Sequence, residues 1–131
     1  MGAQRVSGGP TGTPRPIRDL LLLLPHLTVT AKSDIDYAAA DPALLVQLAC
    51  HCETAMRTIH LGMAAMGQLI ARSAPEMECG EISGDAVEAL GWLMAELGEF
   101  AAVAHCIAVA CRRHTADYEP RTSKTIPNAR P

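Results

Sequence analysis

The chain has 131 residues, 49% of them hydrophobic but only 3% aromatic, and a formal net charge of −3. That length holds one domain at most, and that apolar content excludes disorder of the chain as a whole. With one Trp, two Tyr and one Phe, a core must be built from Leu, Met, Ile, Val and Ala. Alanine and leucine favour helix whereas β-branched and aromatic residues favour strand, so composition predicts an all-α protein.

The charge is unevenly spread: residues 1–33 carry +3, residues 34–111 carry −9 and residues 112–131 carry +3. Residues 1–33 read as a flexible basic leader that contains a short apolar segment at 17–24. Its first part is rich in Gly, Pro, Ser and Thr and has no apolar period. Pro16 is placed to open a two-turn helix that Pro25 ends, and its leucines need a surface to dock on. Residues 27–31 (LTVTA) alternate weakly, as a short extended segment does.

The helical domain is expected over 34–116. Asp41 before Pro42 is an N-cap followed by proline at the first helical position, which opens a helix over about 42–73. Leu45, Leu48, Cys52, Ala55, Ile59, Gly62, Met66 and Leu69 recur in steps of three and four along one seam, widened by Ala49, Met56, Met63 and Ile70. About thirty residues at 1.5 Å each make this helix roughly 45 Å long. Residues 74–82, broken by Pro75 and Gly80, read as the connection. Ser83 caps a second helix over about 84–115, with Asp85 in its first turn and Arg112, Arg113 and His114 in its last, where each charge suits the helix dipole. Ile82 and Val87 hold the positions of a hydrophobic staple. The second seam runs Val87, Leu90, Met94, Leu97, Ala101, Ala104, Ala108 and Cys111, widened by Leu93, Phe100 and Ile107. Residues 117–131 read as a flexible basic tail.

Two long helices on a short linker predict an antiparallel hairpin, and a lone hairpin leaves much of each seam wet. Dimerisation into a four-helix bundle resolves this, and the leucine segment packing as a third helix is the alternative. Gly91, Ala95, Gly98 and Ala102 follow steps of four, three and four on one side of the second helix, where small residues permit close approach. Together with Met56, Met63 and Leu97 they form the candidate self-association surface. Methionines at helical spacing fill cores and also make adaptable binding surfaces.

No residue pattern carries an expectation of catalysis, metal binding or cofactor binding. Cys50, His51 and Cys52 are adjacent, but residues two apart on a helix point about 200° apart and cannot grip one ion. Neither Glu-x-x-His nor His-Glu-x-x-His occurs; His60 and His105 could meet across the hairpin, but nothing in their spacing forces it. Cys79 lies in the expected loop beside Glu78 and Glu81, whose charges disfavour a thiolate. Glu96 and Glu99 read as a solvated acidic face, and Glu53 as the partner of Arg57 one turn on. The acidic helices repel phosphate, which leaves non-specific nucleic-acid contact to the basic tails. Five cysteines without regular spacing suit a reducing cytoplasm. Glu96, Glu99 and His105 argue against a membrane span in the second helix. The expectation is therefore a non-enzymatic interaction or regulatory module, cytoplasmic, homodimeric and with a protein partner. The alternative is a nucleic-acid- or ligand-linked regulator acting through the basic tails or an inter-helix pocket.

Overall fold

The structure, a computed structural model, describes residues 14–121, and the first part of the expected leader and most of the expected tail lie outside them. The chain is mostly helical: α1 spans Pro16–Leu23, a single 3-10 turn Leu24–His26 follows, and then come α2 (Pro42–Arg72), α3 (Ala74–Glu78) and α4 (Gly84–His114). Among the described residues there is no strand, only an isolated antiparallel bridge between Val29 and Ile35. The all-α expectation stands, and both long helices lie within one residue of their predicted bounds.

Local chemistry sets those bounds. The Asp41 carboxylate accepts from the Ala43 N–H at 2.9 Å, and the Ser83 hydroxyl accepts from the Ala86 N–H at 3.2 Å. Each thereby satisfies one donor that the first helical turn leaves without a partner. The connection expected as a loop contains α3, and Gly80 is what stops it. At φ 78° Gly80 takes the left-handed conformation. Its N–H donates to the Met77 carbonyl at 3.2 Å while that of Glu81 reaches back to the Glu76 carbonyl at 3.0 Å. This is the Schellman arrangement, which turns the chain while satisfying the carbonyls at a helix end.

α2 and α4 pack along each other in opposite directions: Glu53 meets Arg112, while Ile70 and Val87 line one cavity further along. α1 lies against α2 and delivers Leu20, 3% exposed, into a core with Leu45, Leu48, Ala49, Cys52, Ala104, Ala108 and Cys111. The leucine segment thus docks on its own chain. The core is confined to this end. From His60 through Phe100, which covers the second half of α2, all of α3 and the first half of α4, no residue is buried.

The two predicted seams are therefore buried over only half their length. Met66, Val87, Leu90, Met94 and Leu97 are half-buried, Gly62 is exposed, and Leu69 is 63% exposed. The reason is geometric. Two helices in contact cover a narrow stripe of each other, and full burial needs a third element. At the core end the leucines of α1 and α2 meet Ala104 and Ala108, small residues that let large ones interdigitate. At the other end Met66, Leu69 and Ile70 stand across a gap from Ala86, Val87 and Leu90, and no residue of α1 lines it.

Candidate interaction surface

The core end is closed by polar contacts across the helices. Arg112 donates from Nε to Glu53 Oε1 at 2.9 Å and from Nη2 to Glu53 Oε2 at 2.8 Å, a bidentate fork. Its Nη2 also reaches Cys50 Sγ at 3.5 Å. The hydrogen bonds from Arg112 hold the Glu53 carboxyl below its ordinary range, and those same bonds push Arg112 further up. The expected partner of Glu53 was Arg57. The facing helix instead presents a planar fork that matches both carboxylate oxygens, which a pairing along one helix does not. On the α1 side, the Arg18 guanidinium bonded to Asp19 lowers that carboxyl, and His51 is near enough to add to the effect. Tyr37 stacks on His114 with ring centroids 5.3 Å apart and planes 24° from parallel. Burial pushes the Tyr37 hydroxyl up, and the nearby Cys111 adds to it.

The cysteines divide as helix geometry requires. Cys52 and Cys111 are buried, while Cys50, Cys79 and Cys106 are exposed, and all five are free thiols. Burial pushes the Cys52 thiol up to about 11 and also raises that of Cys111. Cys50 and Cys52 lie on opposite sides of α2, one exposed and one buried. Among the described residues no group of three or more His, Cys, Asp or Glu is placed to hold a metal ion.

The residues expected to mediate self-association fall into three places. Gly91, Ala95 and Ala102 are exposed and Gly98 is half-buried. A Cβ added at Gly91 or Gly98 meets nothing within 4 Å, so this flank of α4 is open. Met63 and Leu97 are half-buried in the seam between α2 and α4. Met56 lines a shallow groove at the core end with Glu53, His105, Ala108, Val109 and Arg112. His105 faces that groove, and His60 is not among its lining residues.

Spacing along the chain did not reveal a second feature, a cavity of about 230 Å³ between the helices at the end away from the core. Met66, Leu69, Ile70 and Ser73 of α2 form one wall, Ala86, Val87 and Leu90 of α4 the other, and Met77 and Ile82 close its end. Ser73 is its polar member, and that hydroxyl is spent on the Leu69 carbonyl at 2.9 Å. The apolar seam was legible as a pattern, but the gap within it depends on how far the helices stand apart. Exposed apolar side chains surround this half of the molecule: Leu61 and Leu69 on α2, Trp92 and Leu93 on α4. By length and composition α4 is also long and apolar enough to cross a membrane. In comparisons with known proteins, the chain matches no family, no curated protein and no solved structure.

Proposed function

We propose that the chain is a small non-enzymatic helical interaction or regulatory module in which α2 and α4 act as a hairpin that self-associates and holds a protein partner. The observation that carries this is the run from His60 to Phe100, half of each long helix, in which nothing is buried although its apolar residues recur at helical spacing. Soluble monomers rarely leave so large a continuous apolar surface wet. A four-helix bundle of two hairpins covers the α4 flank of that run. The open flank of Gly91, Ala95, Gly98 and Ala102 gives the second copy a place for close helix approach.

The five free thiols suit the cytoplasm, and the exposed Glu96 and Glu99 on α4 speak against burying that helix in lipid. A second reading, a ligand-linked regulator, draws on the apolar cavity of about 230 Å³, a space larger than the ~150 Å³ that accommodates a benzene ring. Its nucleic-acid form would act through the basic tails.

Sedimentation of the full-length protein tests self-association. The wild-type chain is expected at twice its 13.9 kDa mass, and the Ala95→Arg/Ala102→Arg variant at the single mass. A monomeric wild type overturns this part of the reading.

A further inference from the structure

We infer that the apolar cavity at the end away from the core is the seat of the protein partner, and that the partner presents a basic amphipathic helix. This rests on the reading of the chain as a protein-binding module and identifies the site and the chemistry of what fills it. The cavity is lined by Met66, Leu69, Ile70, Met77, Val87 and Leu90 and has room for one large apolar side chain. Unbranched methionines with several rotatable bonds reshape such a surface around different anchors.

The charge around the mouth selects the occupant. Glu76 and Glu78 flank Met77, Glu81 precedes Ile82, Asp85 precedes Ala86, and Glu88 follows Val87. All five acids are exposed, and Arg72 is the single basic residue between 72 and 88. Among the described residues the ion pairs lie elsewhere, at Arg18–Asp19 and Arg112–Glu53. Among the described residues, then, no ion pair occupies the acids that neighbour the lining residues in sequence. The same end of a second copy would set these carboxylates against their like, which electrostatics disfavours. A helix with an apolar stripe at i, i+3, i+4 and i+7 and with Lys or Arg on its flanks satisfies the cavity and the rim together. The surface differs from the small-residue flank, because Leu90 and Leu97 each stand five residues before Ala95 and Ala102, roughly 140° away round the helix.

Calorimetric titration of the full-length protein tests this, with a synthetic helical peptide of Leu and Lys about five turns long. Two control peptides replace every Lys by Glu or every Leu by Ser. The Leu/Lys peptide is expected to bind at least about tenfold more tightly than either control. Leu69→Asp at the cavity wall is expected to weaken it by about tenfold, as is Glu76→Lys/Glu78→Lys/Glu81→Lys at the rim. Leu69→Asp makes the protein more acidic, so a loss of binding there separates seating in the cavity from attraction to bulk negative charge. Val103→Asp, on another face of α4, is expected to leave binding unchanged. Equal binding of the Leu/Lys and Ser/Lys peptides overturns the proposal, as does full binding by Leu69→Asp. Sedimentation of the protein with the peptide separates this from self-association. A complex that retains two copies supports it, and dissociation into single chains would make the cavity the self-association surface and overturn the assignment of its occupant.

Discussion

Arg112 grips Glu53 with both arms of its guanidinium across 59 positions of sequence, at 2.8 and 2.9 Å. It ties the last turn of α4 to the first half of α2 at the end where the core is buried. Both side chains are nearly half exposed, so water and salt screen the pair and its contribution is about 0.5 kcal/mol. A double-mutant cycle of Arg112→Met and Glu53→Gln, followed by urea unfolding, should return a coupling of about that size at neutral pH. The Glu53 carboxyl is lowered in the folded chain, so its contribution is fully present above the ordinary value of 4.5. It is lost as the pH falls through the lower, folded value. A coupling that persists in full under strongly acidic conditions would contradict the ion pair.

Leu48 and Leu69 occupy the same seam of α2, at 0% and 63% exposure. Truncation should therefore separate them. Leu48→Ala is expected to cost about 2–5 kcal/mol through lost burial and a residual cavity. In a monomeric chain Leu69→Ala should stay within about 0.5 kcal/mol of wild type. Urea unfolding measured across protein concentration checks both. A large, concentration-dependent cost at Leu69 would show that an interface between copies covers it in solution.

Two glycines should respond with opposite signs. Gly80 holds φ 78° at the end of α3, and Gly91 lies inside α4; a Cβ at either meets nothing within 4 Å. With space equal, the backbone decides. Gly80→Ala should destabilise by about 1 kcal/mol because an L side chain resists the left-handed region. Gly91→Ala should stabilise by about 0.5–1 kcal/mol through helix propensity in a monomeric chain. Thermal unfolding of the two variants provides the comparison, and matching signs would refute the turn geometry.

Thiol reactivity gives a map of burial. A disulfide reagent at neutral pH should titrate Cys50, Cys79 and Cys106 in the folded protein and reach Cys52 and Cys111 only on unfolding. Burial pushes the Cys52 thiol up to about 11, so in the folded protein it stays the unreactive thiol at neutral pH. Rapid labelling of all five in the folded state would show that the core end is open.

Residue order by itself determined the two long helices of this protein and where they stop, though not α3 within the connection. Asp41 with Pro42, Ser83 with Asp85, and the basic turn at Arg112–His114 are local devices, and each acts through backbone groups within a few residues of itself. The apolar period likewise marked which side of α2 and α4 turns inward, because side-chain direction follows from 3.6 residues per turn. Only the tertiary structure decided how far along the seam burial extends. Leu48 and Leu69 look alike in the pattern, yet α1 folds back over one end and leaves the other uncovered. It also decided that Glu53 takes Arg112 rather than Arg57, and that a gap opens between Met66 and Leu90. Those outcomes depend on distances between segments far apart in the chain. Such distances are set by which large side chains meet small ones when the helices come together, a property of pairs of surfaces that periodicity along a single helix does not contain.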